Sequence, residues 1–179
     1  MGVRNYLIEG VSGAGKTTVA EELQRRGHHV LHGDRELCYR GDPETGEPLD
    51  GRAYERAEDG FVWLHEHHLW DVDKVRSLVA DRRWAQSFFC GGSRNVRKFI
   101  ALFDEVFILD IDVDTLKRRL ASRPEDEFGG KPGERDLVLR LHATQEDTPN
   151  GVRIDATAPV ARVVDEILAK CAQVEQGPA

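Results

Sequence analysis

Gly10-Val11-Ser12-Gly13-Ala14-Gly15-Lys16-Thr17 has the spacing G-x-x-x-x-G-K-[ST], directly after the apolar run Tyr6-Leu7-Ile8 and directly before a segment of helical period. Strand, glycine-rich turn and helix in that order define a phosphate-binding loop, or P-loop, and commit the N-terminal part to an α/β unit. A polyphosphate needs several hydrogen-bond donors converging on its oxygens. Gly10, Gly13 and Gly15 let backbone N–H groups and the helix N-terminus approach without a Cβ in the way. Lys16 is then expected to bridge the β- and γ-phosphates of ATP and Thr17 to offer its hydroxyl to Mg²⁺, with Ser12, Ala14 and Thr18 completing the nucleotide-binding set.

The rest of the chain keeps this alternation of strand-length apolar runs and longer segments of helical period, the pattern of a parallel α/β sheet. Strands are expected near residues 4–9, 28–32, 87–90, 105–111 and 152–155. The first helix turns Val19, Ala20 and Leu23 inward and stops at Gly27. A closing helix begins at Pro159 and gathers Val160, Val163, Val164, Ile167, Leu168 and Cys171 on one face. The polar tail at 175–179 is expected to fray.

A chain of 179 residues is about one domain, placed here at 1–174. Its net charge is −7 and its basic residues form no long run, which argues against a nucleic-acid partner. No run of about 18 apolar residues, signal-peptide core or lipidation motif is present, so a cytoplasmic protein with no membrane partner is expected. Cys38, Cys90 and Cys171 are widely spaced and include no C-x-x-C pair, which reads as three reduced thiols. A monomer and a homodimer fit equally well.

Two segments interrupt the alternation. Residues 34–60 hold nine carboxylates against Arg35, Arg40, Arg52 and Arg56, around the turn-rich centre Gly41-Asp42-Pro43-Glu44-Thr45-Gly46-Glu47-Pro48. With the helix-patterned stretch after it, this forms an insertion over 34–82. In that stretch His65, Glu66, His67, His68, Trp70, Asp71 and Asp73 read as one helix. They lack the H-E-x-x-H spacing of a zinc site, and Trp63, His68, Trp70 and Asp71 are candidates for lining an acceptor pocket or for ordinary packing. The second segment, Arg123-Pro124-Glu125-Asp126-Glu127-Phe128-Gly129-Gly130-Lys131-Pro132-Gly133, has the composition of a mobile loop able to close over phosphates, and a lid is placed at 123–134.

In this order of motifs the chain resembles the small P-loop kinases, which include shikimate, gluconate, nucleoside and nucleotide kinases. The resemblance implies a three-layer P-loop fold whose five-stranded parallel sheet has the order 2-3-1-4-5, with a substrate-binding insertion after strand two and a lid after the helix following strand four. It also implies roles for particular residues. Gly33-Asp34 stands where these kinases end strand two on an acid that touches the acceptor, as the Gly-Asp pair does in gluconate kinases; His32 stands where shikimate kinases carry a further Asp. Cys90-Gly91-Gly92-Ser93-Arg94 resembles the glycine-rich turn that meets substrate in shikimate kinases, which makes Gly91, Gly92 and Arg94 substrate-binding candidates. Leu116-Lys117-Arg118-Arg119-Leu120-Ala121-Ser122-Arg123 resembles the helix that leads into the lid and ends on an arginine reaching the transferring phosphoryl group. Arg123 is the first choice for that role and Arg119, four residues earlier, the second. Asp155-Ala156-Thr157-Ala158-Pro159 falls where such kinases line the adenine pocket, giving Ala156 and Thr157 to the nucleotide.

The function that follows is phosphoryl transfer from ATP to a small acceptor, catalysed by Lys16, Asp34, Arg123 and Arg119, with Asp34 as base or orienting group. Nucleosides and nucleotides lead as acceptors, with sugar acids, shikimate-type acids and antibiotics as alternatives. Arg35 and Arg56 are available to an acceptor phosphate or carboxylate. A nucleotide-binding regulator without small-molecule transfer is the contrary reading. No acidic Walker B residue closes strand three, where Cys90-Gly91-Gly92 stands, and Asp110 and Asp112 lie on strand four, on the other side of the P-loop strand.

Overall fold

In the computed structural model, which describes residues 3–176, the apolar run before the glycine loop forms β1 (Arg4–Glu9), and β1 lies at the centre of a parallel sheet. It leads through the glycine loop into α1 (Lys16–Arg25), then β2 (His29–His32), α2 (Gly33–Glu36) and a short strand β3 (Cys38–Arg40). A long excursion carries α3 (Gly60–Glu66), β4 (His68–Trp70) and α4 (Val72–Val79). The chain returns as β5 (Gln86–Cys90), β6 (Glu105–Asp110), α5 (Val113–Ala121), α6 (Pro132–Thr144), β7 (Val152–Asp155) and α7 (Val160–Gln176).

Among the described residues the main sheet has five strands in the order β2-β5-β1-β6-β7, all parallel. Once the separate β3/β4 ribbon is set aside, this is the 2-3-1-4-5 order that the resemblance implies. The strands read as unbroken apolar runs because each face is covered, and the side-chain period of two sorts them. Tyr6, Ile8, Phe88, Phe107 and Ile154 face the layer that holds α1 and α7, where Leu23, Val164 and Ile167 meet them. Leu7, Leu31, Phe89 and Ile108 face the opposite layer, with Trp70, Val75, Phe99 and Phe103. Phe88, Phe89 and Phe107 are each fully buried, worth about 1.5–3 kcal/mol apiece on transfer from water. The parallel strands end on one edge, where ligands bind in open α/β sheets, and both β1 and β5 deliver a glycine turn there.

The stretch read as one helix through His65–Asp73 is a helix, a strand and a second helix. Helix α3 stops at Glu66, and His68–Trp70 pairs antiparallel with β3, placing Cys38 opposite Trp70, Tyr39 opposite Leu69 and Arg40 opposite His68. Three residues are too few to show an alternation, and the pairing partner lies about 30 positions away, so the deciding contact is tertiary. Burial rewards it: Leu69 and Trp70 are fully buried, and Trp70 lies parallel to Phe99 at 5.7 Å. Helix α7 runs on through Gln176, into the tail expected to fray, and the last three residues of that tail lie outside the described residues.

Candidate active site

The P-loop backbone is bent where the glycines allow it. Gly13 and Gly15 have φ of 86° and 108°, values side-chain-bearing residues avoid, and a Cβ on Gly13 would stand 3.1 Å from Leu116 Cδ1. The turn hands over to α1 at Lys16, whose first-turn N–H groups have no partners within the helix. Lys16 Nζ folds back over the loop and donates to the carbonyls of Gly10 at 2.5 Å and Val11 at 3.2 Å. Burial lowers its pKa, against the opposing pull of Asp34 and Glu9. Thr17 and Thr18 are exposed on the first turn. Ser12 Oγ donates to Phe128 O at 2.9 Å, which ties the loop after α5 to the P-loop.

Arg119 and Arg123 share a helix-end region but serve different neighbours. Arg119 donates to the carbonyls of Ala14 and Ala156, each at 2.8 Å, and so straps the P-loop to the turn after β7. In that turn Asp155 Oδ1 accepts from Thr157 N at 2.9 Å and from its hydroxyl at 2.5 Å. Arg123 instead lines a cavity, pairs with Glu127 at 3.1 Å, and keeps a buried Nε with no hydrogen-bond partner.

That cavity, of about 270 Å³, opens beside Lys16 at the carboxyl edge of the sheet. Each wall comes from a different segment. Asp34 enters from the start of α2, Arg40 from β3, His65 from α3, His68 from β4, Gly92 and Arg94 from the turn after β5, and Asp147 from the turn after α6. Leu64, Phe128, Val138 and Leu141 give it an apolar side. Asp34 is half exposed, and its Oδ1 accepts from His68 Nε2 at 3.2 Å and from Gly92 N at 3.3 Å. Desolvation pushes its pKa up, but the His68 hydrogen bond, the Lys16 charge and the Gly92 amide outweigh it and hold the carboxyl below its ordinary range. Gly91 backs this arrangement, because a Cβ there would lie 2.7 Å from both Asp34 Oδ1 and Trp70 Cζ2.

Arg94 pairs with Asp147 at 2.6 Å and lies 3.8 Å from Glu9. Asp147 also meets His65 Nε2 at 2.7 Å, and that hydrogen bond, with the nearby Arg94 charge, holds its carboxyl below the ordinary range against desolvation. Glu9 was not singled out from the sequence. It is 4% exposed, its Oε2 has no hydrogen-bond partner, and burial pushes its pKa up to about 7 against the pull of Arg94 and Lys16. The available signal is a carboxylate directly after the apolar run Tyr6-Leu7-Ile8 of the central strand, a place where ionisable groups are rare. Asp147 had no such signal, since it sits in a polar turn.

Other candidates do not line this cavity. Arg35 is exposed on α2, and Arg56 is exposed and pairs with Asp50 at 3.1 Å. Of the four residues proposed for the insertion helix, only His68 reaches the cavity: Trp63 stacks on His67, Trp70 is in the core and Asp71 caps α4 through Lys74 N. Asp110 pairs with Arg153 and Asp112 caps α5, which leaves both outside.

A family model described as AAA domain matches residues 7–139, the span from the P-loop strand through most of α6. Solved structures share the fold across nearly the whole chain. A shikimate kinase from Bacteroides thetaiotaomicron is 15% identical with a TM-score of 0.59, covering 94% of this chain and 98% of its own. A gluconokinase from Sinorhizobium meliloti 1021 is 21% identical with a TM-score of 0.53, covering 96% and 93%. A deoxyadenosine kinase from M.mycoides, solved with bound dATP, is 14% identical with a TM-score of 0.50, covering 94% and 99%. No curated protein matches the chain. Among the described residues no helix is long and apolar enough to cross a membrane.

Proposed function

The chain belongs to the AAA domain family, and on that premise we propose that it is an ATP-dependent kinase of a small hydroxylated or phosphorylated metabolite, with nucleosides and nucleotides as the leading acceptors. One observation carries the reading: the phosphate-gripping Lys16, the carboxylate Asp34 and the lid arginine Arg123 all face a single cavity of about 270 Å³. A polyphosphate fits the donor side because the loop offers a cradle without Cβ atoms, a helix start that no side chain caps, a lysine resting on carbonyls and an arginine Nε still lacking a partner. Ala156 and Thr157 would flank the base, and Thr17 would hold the metal.

When bound, Mg²⁺ would supply positive charge that offsets the negative charge of the ATP phosphates. The residues of the chain do the rest. Lys16 and the loop amides fix the donor, and Asp34 takes the proton from the acceptor hydroxyl as that oxygen bonds to the γ-phosphorus and the bond to the β-phosphate oxygen breaks. Arg123 offsets the charge that spreads over the transferring group, and ADP leaves. The apolar wall of Leu64, Val138 and Leu141 suits the face of a sugar or base. Arg40 and Arg94 in the same cavity favour a second reading within the class, a sugar acid or shikimate-type acid whose carboxylate displaces Asp147 from Arg94.

Thermal-shift screening with nucleosides, nucleotides, sugar acids and shikimate in the presence of ATP and Mg²⁺, followed by ADP-release assays on the hits, tests this. A member of the panel should raise ADP release above the background hydrolysis. If none does, the regulator reading takes its place.

A further inference from the structure

We propose that Arg40 and His68 form a positioning relay that fixes the Asp34 carboxylate, an inference that rests on the kinase reading for the use to which Asp34 is put. The ribbon builds the relay. Arg40 and His68 are direct partners in the antiparallel β3/β4 register, so their side chains leave the same face side by side. Arg40 Nη1 lies 3.3 Å from His68 Nδ1 and donates to Leu64 O at 2.6 Å, and His68 Nε2 lies 3.2 Å from Asp34 Oδ1.

The direction of these bonds is fixed by chemistry. A guanidinium has no acceptor site and does not lose its proton in a folded protein, so it meets Nδ1 only as a donor. Nδ1 must therefore present its lone pair, and the ring hydrogen of the neutral imidazole must sit on Nε2, aimed at Asp34. Asp34 Oδ1 is then held twice, by His68 Nε2–H and by Gly92 N–H at 3.3 Å, and the other oxygen is left to face an acceptor hydroxyl. The neighbouring backbone holds the ring's position. Arg94 N donates to His68 O at 3.0 Å, and Trp70 N donates to Ser93 Oγ and Asn95 Oδ1, each at 3.1 Å. Arg40 and His68 thus act through Asp34, and the relay explains why a three-residue ribbon strand sits beside the P-loop cavity.

The test needs no acceptor for its first arm. Nitrogen-15 spectra of the His68 ring in the full chain, at a pH where the ring is neutral, should show the hydrogen on Nε2. In Arg40→Met they should show a mixture of tautomers, and in Arg40→Lys, which retains a donor, the Nε2–H form. Carbon-13 titration of the Asp34 carboxyl should give a midpoint that rises in His68→Phe and returns towards wild type in His68→Gln, whose amide N–H can replace the donor. With an acceptor from the screen, kcat should fall about tenfold in His68→Phe and Arg40→Met, the loss of one charge-assisted hydrogen bond, with KM for ATP unchanged and partial rescue by His68→Gln. Circular dichroism and melting curves establish that each variant folds. A wild-type ring with its hydrogen on Nδ1, or an Asp34 midpoint that does not move in a folded His68→Phe protein, overturns the relay. Absence of any phosphorylated acceptor would count against the kinase reading alone, because the two spectroscopic arms still decide the relay.

Discussion

The two sides of the cavity are built by opposite means. The P-loop side is one contiguous segment, Gly10–Thr18, shaped by backbone geometry around a single lysine. The opposite side draws Glu9, Asp34, Arg40, His65, His68, Arg94 and Asp147 from seven places in the chain, with side chains already paired with each other. A backbone cradle depends on local sequence and is complete once a strand, a turn and a helix are in place. A side-chain network depends on the whole topology, and each member is held by the charge or hydrogen bond of another.

This difference decides what the sequence shows. The P-loop and the five strands are legible because hydrophobic period and glycine spacing are local, while the strand order and the place of Asp34, Gly92, Arg94 and Arg123 at the cavity are legible only through the resemblance of motifs. The ribbon is not legible, because His68–Trp70 becomes a strand only when Cys38–Arg40 lies beside it. Asp147 is invisible for the same reason, since its meaning comes from Arg94 and His65 arriving from elsewhere. Arg119 and Arg123 show the limit of helix-face reasoning: both fall near the same helix end, yet one straps backbone carbonyls together and the other lines the cavity and pairs with Glu127.

The largest effect is expected at Lys16. Lys16→Met should lower phosphoryl transfer by about 10³-fold and also weaken ATP binding, because it removes the one positive side chain of the P-loop segment. Calorimetric titration with ATP beside the ADP-release rate would show both losses. Retained ATP affinity would mean that the backbone cradle alone grips the nucleotide.

Glu9 sharpens the comparison through pH. Its carboxyl titrates at about 7 in the folded chain against 4.5 for the ordinary group, so between those values the unfolded chain loses a proton that the folded chain keeps. Stability from this group is therefore full below pH 4.5 and is lost as pH rises to about 7. Glu9→Gln abolishes that loss, so its stability relative to wild type should climb across the window by on the order of 3 kcal/mol at most and stay level above it. Urea melts of both proteins from acid to neutral pH would measure the climb, and a constant difference would show that the Glu9 carboxyl titrates alike in the folded and unfolded chains.

The smallest effect is expected outside the network. Arg56→Ala removes an exposed ion pair with Asp50 and no cavity wall, so stability should change by less than about 0.5 kcal/mol and turnover should hold. A large rise in acceptor KM in that variant would instead bring the acidic insertion into the acceptor site.

Asp34 is where the two sides meet, within reach of the Lys16 charge and held by His68 and Gly92. The decisive measurement is acceptor-dependent ADP release by wild type and Asp34→Asn at saturating ATP. The account predicts a fall in kcat of about 10²–10⁴-fold in Asp34→Asn with ATP affinity nearly unchanged. An Asp34→Asn protein that turns over at the wild-type rate would contradict it.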